Sequence, residues 1–575
     1  MEFVASFSGG KDSILAIKKF IEQGNRLIGL IVSSKENGMS WSHNVDKEYY
    51  DNVAQILRCD IFFTYTDIDT YENNFEKALI YFKNIGAKAC VFGDFNINKH
   101  IKWNNSRCIN AGIEAIHPMK FMDSIDVINE FLKTDMQARI IKINEDYLPN
   151  LYIGKVIDKN LLDEIILQNP NTDPCGENGE YHTLVDIESI KKAFVSDIYL
   201  DNASTSYPKA PGISTRISDF INNESFSINR GTYMKSYNLS SKIIDIRERI
   251  LKFVDAPDSS ECIFTGSATE SLNIIMNGLL DKRNTIVIDD RNHNSVWRIA
   301  NNIKKQNSNK VIIWKANNEG KYEVEELINQ IDKNTRYILL NIVDNVGGRN
   351  LIESTDNFKT LIDYCNSNNI FLIGDFSQAM CEYKFSMKEL GFDAIIFSAH
   401  IGLMGSEGLG LLILNSSIKN NVKPLLFGGT GSKSADFNMP NTLPDRLEAG
   451  TLNHPAIFGL DAALEYISLI GIDKIIDKKN KLCNLAKDGL KDIDSIKVWG
   501  EGSFLCLSSK IIDDSDLAFN LDLQDGIMNR VGIQCSKMSH QAIDNFPKGC
   551  IRFTFGYFNN IYDVEDLIKA IKKYH

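Results

Sequence analysis

The sequence predicts an α/β protein made of two successive parallel-sheet blocks, and three observations lead there. Short apolar runs alternate with helix-length segments through about the first 190 residues. A second series of the same kind begins near Ile198. At 575 residues the chain also exceeds what one hydrophobic core supports.

In the first block Glu2–Phe7 reads as a strand, Ser13–Glu22 as a helix, and Leu27–Ser33 and Ala89–Phe92 as further strands. Strands separated by helices need crossover connections, so the sheet is expected to be parallel. In the second block Cys262–Thr265, Thr285–Ile288, Val311–Trp314, Tyr337–Val343, Ile370–Ile373 and Ala394–Phe397 read as buried strands between helices. The joining stretch Glu188–Asp197 is short, mildly charged and free of Pro and Gly. It sets the boundary near residue 195, giving domains 1–195 and 196–575.

Composition is that of an ordinary globular protein, with 43% hydrophobic and 24% charged residues. A formal charge of −12 argues against a non-specific nucleic-acid binder and leaves room only for a local basic groove. No basic, then apolar, leader opens the chain, and no run approaches the ~20 apolar residues of a membrane span. Eleven cysteines occur without a CxxC pair. They are expected to be reduced thiols in the cytoplasm and to hold no zinc.

Ser8-Gly9-Gly10-Lys11-Asp12-Ser13 follows the first strand and opens a helix. Glycines let backbone N–H groups approach phosphate oxygens, the helix N-terminus adds partial positive charge, and Lys11 adds a full one. The spacing is not GxxxxGK[ST]. A capped Gly-Gly turn is the bland alternative. Further on stands Asp173-Pro174-Cys175-Gly176-Glu177-Asn178-Gly179-Glu180-Tyr181-His182-Thr183, with Gly93-Asp94, Trp103, Cys108 and His117-Pro118 between the two motifs. A solvated Gly-rich turn is the bland reading of the second motif.

Together these residues resemble the diphthine–ammonia ligase family of ATP pyrophosphatases, over about residues 1–190. The resemblance implies a Rossmann-like domain of the adenine nucleotide alpha-hydrolase type that splits ATP between its α and β phosphates. AMP would be placed on a carbonyl or carboxylate oxygen, and a nucleophile would then displace it. Ser8, Gly9, Gly10 and Ser13 would hold ATP, Lys11 and Asp12 would act on the phosphates, and Mg²⁺ would accompany ATP near Asp12. Glu177, Glu180 and His182 would orient the acceptor, handle protons or hold the metal.

The second block opens with Tyr199-Leu200-Asp201-Asn202-Ala203-Ser204-Thr205. It continues through Thr265-Gly266-Ser267-Ala268-Thr269, His293, Asn345, Gly374-Asp375-Phe376-Ser377-Gln378, Ser398, His400, Gly428-Gly429-Thr430-Gly431, Cys535, His540 and Arg552. From Tyr199 onward the chain is similar to the cysteine desulfurases of the class V aminotransferases, a fold type I pyridoxal-phosphate (PLP) architecture. Its large part would span about 215–455 and its small part about 456–575. The resemblance makes Ser267, Ala268, Thr269, Ser398 and His400 phosphate contacts. His293 would stack on the ring, Asn345 and Gln378 would face its phenolic side, and Asp375 would pair with its nitrogen. Thr430 would reach the phosphate of a second subunit, implying a homodimer. Arg552 would grip a substrate carboxylate, and Cys535 would carry a persulfide.

Two departures stand out. Where the family has its Schiff-base lysine, this chain reads His400-Ile401-Gly402. Isoleucine has no amine to anchor the cofactor or to move a proton. Between Gly532-Ile533 and Cys535 about six residues of the family's loop are also missing, including an arginine, so an ordinary loop thiol is the alternative for Cys535. Ile401 leaves three explanations open: a degenerate platform or persulfide relay, non-covalent use of PLP, or an introduced change.

The fusion points first to ATP-dependent replacement of a carbonyl oxygen by sulfur supplied through the second domain, from free cysteine or an external donor. An amide-forming ligase with a structural second domain is the other enzymatic reading, and a nucleotide and PLP sensor is the non-enzymatic one. The acceptor is left open among a small molecule, a protein side chain and a tRNA base. No membrane partner is expected.

Overall fold

The computed structural model describes residues 1–575 apart from 36–38, 41–44, 66–69, 195–196, 229–230, 308 and 318. Residue 195, where the sequence sets the boundary, lies outside the described residues. The chain forms two compact units, Met1–Asp197 with Asn560–Tyr562, and Ile198–Asn559 with Asp563–His575. Among the described residues no single helix is long and apolar enough to cross a membrane.

In the first unit β1 (Glu2–Ser6), α1 (Lys11–Glu22), β2 (Arg26–Ser34), α2 (Lys47–Ile56), β3 (Asp60–Tyr65), α3 (Tyr71–Asn84), β4 (Ala89–Val91), α4 (Asn98–Ala111) and β5 (Glu114–Ile116) alternate along the chain. The five strands pair in parallel in the order β3-β2-β1-β4-β5. Phe3, Val4 and Ala5 are wholly buried, as a strand covered by helices on both faces requires. Ile14, Ala16 and Ile17 of α1 pack into the same core. Strand order reverses between β1 and β4, and a crevice for a ligand opens at the carboxyl ends of such a pair. The sequence missed a separate antiparallel pair, β6 (Ala138–Ile143) and β7 (Tyr181–Val185).

The second unit is centred on a seven-stranded sheet. Its strands are β8 (Glu261–Thr265), β9 (Thr285–Asp289), β10 (Lys310–Trp314), β11 (Thr335–Asn341), β12 (Phe371–Asp375), β13 (Ala394–Ser398) and β14 (Gly410–Leu414). They lie in the order β10-β9-β11-β12-β13-β14-β8. β14 runs antiparallel to both neighbours, so the sheet is mixed rather than wholly parallel. A smaller antiparallel sheet follows, with β15 (Ile496–Trp499), β16 (Phe504–Ser509), β17 (Arg530–Gly532) and β18 (Cys550–Thr554) in the order β15-β16-β18-β17.

Candidate functional site

The loop after β1 lies at the β1/β4 reversal. Helix α1 begins at Lys11 rather than Ser13, so Lys11 and Asp12 stand in its first turn, with Gly10 as N-cap. Gly9 has φ +89, a left-handed conformation that favours glycine. Strand β7 braces this loop from the far end of the unit. Val185 N–H donates to Gly9 O at 3.0 Å, and Lys11 N–H donates to Thr183 Oγ1 at 3.2 Å. The Tyr50 hydroxyl donates to Ser8 O at 2.7 Å, and Ser13 Oγ donates to Gly10 O at 2.9 Å. Gly93, just past β4, approaches so closely that a Cβ there would lie 2.8 Å from Ser13 N.

Lys11 is buried, and its Nζ donates to Asp12 Oδ2 at 2.7 Å and to Cys175 O. Burial alone would lower this amine, but the Asp12 carboxylate, Tyr181 and Cys175 hold it well above the usual range, so it is a fixed cation. Asp12 Oδ1 is buried without a hydrogen-bond partner among the described residues. Among the described residues no three Asp, Glu, His or Cys side chains converge as a ready-made metal site. Asp12 with ATP oxygens would match the sparse protein ligation that Mg²⁺ accepts.

Glu177 carries a carboxyl pushed up to about 7, first by burial and then by the negative charge of Asp12, with Asp94 and Asp173 adding to it. Asp94 is held below the usual carboxylate range because hydrogen bonds from His100 and Asn104 outweigh its burial. Glu180 departs from its expected role. It is fully buried, and its oxygens accept from Asp173 N–H, Asn178 N–H and Asn178 Nδ2, so it organises the loop instead of facing an acceptor. His182 sits on β7 opposite Lys142, half-buried, and burial lowers its imidazole. The sequence did not single out the Asp94–His100 pair, because only the fold joins them.

In the second unit a cavity of about 310 Å³ is lined by Ser267, Ala268, Thr269, His293, Asn345, Asp375, Gln378, Ser398, His400, Ile401, Arg530, Cys535 and Arg552 among others. The N-terminal end of helix α5 (Ala268–Gly278) lines it through Ala268 and Thr269. Ser267 caps α5 by accepting from Glu270 N–H. Ser398, on the cavity wall, has its Oγ buried and unpartnered among the described residues. Asp375 is a buried carboxyl raised by desolvation. Ser295 N–H donates to His293 Nδ1, which leaves the ring proton on Nε2. A phosphate cup with an open hydroxyl, a buried acid and an imidazole fit PLP. When bound, that group draws electrons from the α-carbon of an amino acid. Thr430 does not line this cavity, and is half-buried within the largely exposed stretch 424–438.

Several expected contacts are taken up internally. Gln378 Nε2 donates to Ala203 O at 2.8 Å, and Asn345 Nδ2 donates to Gln534 O at 2.6 Å. Arg552 is buried, with Nη2 on Asp201 Oδ1 at 2.8 Å and on Ser204 Oγ, and Nη1 on Asn345 O. It therefore already holds a carboxylate. Arg530, ahead of Gly532, lines the cavity and donates to Ser204 Oγ at 2.9 Å.

Ile401 lines this cavity and also a second chamber of about 40 Å³. Among the described residues the large cavity has two arginines on its wall and no lysine. Lys423 is paired with Asp281, and Lys433 stands in an exposed loop. Cys535 is the exposed cysteine of the eleven. It is held in a left-handed conformation, φ +57, with its carbonyl accepting from Asn294 N–H. His540 is buried, its Nε2 hydrogen-bonded to Gln534 Oε1 at 2.8 Å.

Comparison with known proteins agrees with both halves. Residues 198–567 match the aminotransferase class-V family, residues 1–115 the diphthamide synthase N-terminal domain, and 123–194 its C-terminal domain. The chain is 29% identical over 392 residues to a cysteine desulfurase of Wigglesworthia glossinidia brevipalpis, covering 65% of this chain and 92% of that one. A probable cysteine desulfurase of Methanothermobacter thermautotrophicus is 24% identical over 385 residues, with 65% and 94% covered. Among solved structures, the Escherichia coli cysteine desulfurase CsdA superposes with TM-score 0.59 at 23% identity, covering 66% of this chain and 94% of its own. The apo cysteine desulfurase of Thermococcus onnurineus NA1 gives 0.58 at 22%, with the same shares covered.

Proposed function

The chain belongs to the aminotransferase class-V family and carries both diphthamide synthase domains, and on that footing we propose that it replaces a carbonyl oxygen by sulfur at the expense of ATP. The first unit transfers AMP to the oxygen and releases pyrophosphate. Lys11 and the α1 N-terminus neutralise the phosphates, and Asp12 Oδ1 is the protein's contribution to a Mg²⁺ ion held with ATP. The oxygen then leaves with AMP while the outer sulfur of a Cys535 persulfide bonds to carbon, and a thiol reductant frees the product from Cys535.

The observation that carries this reading is that Cys535, the exposed thiol, lines the cavity shaped for PLP and is fused to an intact SGGKDS loop. Tethering a sulfur carrier to an activating site raises its effective concentration. Ile401 makes the persulfide's source an external donor or non-covalent use of PLP with cysteine. The exposed Phe427 and Phe437 flanking Thr430 support a homodimer. The eleven unpaired thiols support a reducing compartment, the cytoplasm.

The test supplies purified full-length protein with ATP, a carbonyl substrate and a persulfide donor. Thio-product formed with AMP, and lost in Cys535→Ser, is expected. AMP formed without thio-product counts against it. Amide formation from ammonia is the second reading, favoured by Glu177, whose carboxyl near 7 suits a proton acceptor for an ammonium ion. AMP release that depends on ammonium and is indifferent to Cys535→Ser would select it.

A further inference from the structure

An amine or thiol that displaces AMP must lose a proton, and the first unit holds an acid–imidazole pair close to the phosphate loop. Asp94 follows Gly93, which lies just past β4 against the first turn of α1, where the phosphate loop ends. Its Oδ1 lies 3.0 Å from His100 Nδ1, and its Oδ2 accepts from Asn104 Nδ2 at 2.9 Å. Both partners come from α4, so one helix orients the carboxylate and presents the imidazole. His117 Nδ1 adds a contact to Asp94 O at 3.3 Å. The His100 side chain is 54% exposed, and Nε2 has no partner among the described residues.

We propose that His100, oriented by Asp94, is the base that receives the proton of the nucleophile displacing AMP. The nucleophile is thus one that arrives carrying an N–H or S–H. The inference rests on the ATP-dependent oxygen activation argued above and adds the group that completes it. In the step, the nucleophile's lone pair forms the new carbon–nitrogen or carbon–sulfur bond. The carbon–oxygen bond breaks, its electron pair leaves on AMP, and the proton moves to His100 Nε2. Asp94 holds the imidazole so that Nδ1–H is donated and the Nε2 lone pair is free.

The charged groups facing His100 are Asp94, Glu177 and the neighbouring Lys99. The hydrogen bond to Asp94 raises the imidazole above its ordinary value, aided by the charges of Asp94 and Glu177, against burial and Lys99. A raised imidazole stays protonated further toward neutrality. The displacement therefore slows as pH falls through that value, while pyrophosphate release does not.

The experiment uses full-length protein, ATP and Mg²⁺. A cell extract that retains metabolites, protein and tRNA serves as the source of carbonyl acceptor, and either ammonium chloride or sodium sulfide as the nucleophile. Pyrophosphate and AMP are followed separately in a single turnover. His100→Gln is expected to keep the pyrophosphate burst and to release AMP about a hundredfold more slowly, with the acid limb of the pH profile gone and partial rescue by free imidazole. Asp94→Asn should shift that limb, and the His100 titration seen by NMR, to lower pH. Which of the two nucleophiles shows the effect identifies the bond formed. A burst in both proteins followed by equal AMP release overturns the role of His100. No burst in the unmodified protein overturns the activation chemistry itself.

Discussion

Arg552, on the wall of the C-terminal cavity, and Asp201 face each other at 2.8 Å, so the guanidinium expected to receive a substrate carboxylate already holds one from its own chain. Ser204 joins them, hydrogen-bonded to Arg552 and to Arg530. A ligand carboxylate must displace or share Asp201.

Asp201→Asn leaves a buried guanidinium without its anion, a change that costs on the order of 3 kcal/mol. The variant should melt earlier than the parent and regain much of that loss when cysteine or alanine is added, because the ligand supplies the missing charge. Thermal melts with and without amino acid check it. Equal ligand stabilisation of both proteins would mean that Asp201 does not compete.

Ile401→Lys should create a covalent cofactor site. The side chain lies on the cavity wall, so a lysine there can reach the aldehyde of added PLP. We expect a visible absorbance band that survives desalting and maps to position 401 after borohydride reduction, together with alanine release from cysteine. The unmodified chain should lose PLP on desalting.

Gly93→Ala places a Cβ about 2.8 Å from the Ser13 backbone nitrogen, where the neighbour is main chain and has little room to yield. Overpacking of this kind costs about 1–3 kcal/mol. The strain falls on the first turn of α1, so ATP affinity should drop together with the melting temperature. Isothermal titration alongside denaturation separates the two effects.

Glu177 gives a pH prediction. Its carboxyl is pushed up to about 7 in the folded protein, from an unfolded value near 4.5, chiefly by burial and by Asp12. Between those values the folded chain binds the extra proton. The stability gained is complete below about 4.5 and is lost as pH rises through 7. Glu177→Gln, neutral at every pH, should therefore match the parent at pH 4.5 and exceed it by about 2 kcal/mol at pH 8. Urea unfolding at the two pH values measures the difference.

How much could be read in advance depended on the range of the contacts. The Ser8–Ser13 loop was legible because a glycine pair after an apolar strand is a local backbone signal. Ile401 stood out because one residue type in a fixed position decides whether an amine exists. His100 did not, since its meaning comes from Asp94, which the chain brings against it only by closing the turn between β4 and α4. Glu180 looked like a free acid in a polar motif, but backbone N–H groups two and seven residues away take up its oxygens. The direction of β14 was hidden too, because an apolar run such as Gly410–Leu414 records burial and not the sense in which the strand runs.

The two hydrogen bonds from β7 to Gly9 and Lys11 make the front and back of the first unit a single folding element. A fragment stopping at Ile116 would keep all five strands of the parallel sheet yet lose the clasp on its glycine turn. Such a truncation should yield a sheet-containing protein with a loose, nucleotide-blind loop, and adding residues 117–194 as a separate peptide should tighten it again. Here the clasp that shapes the turn is supplied from 172 residues downstream, by chain that the sheet itself does not use.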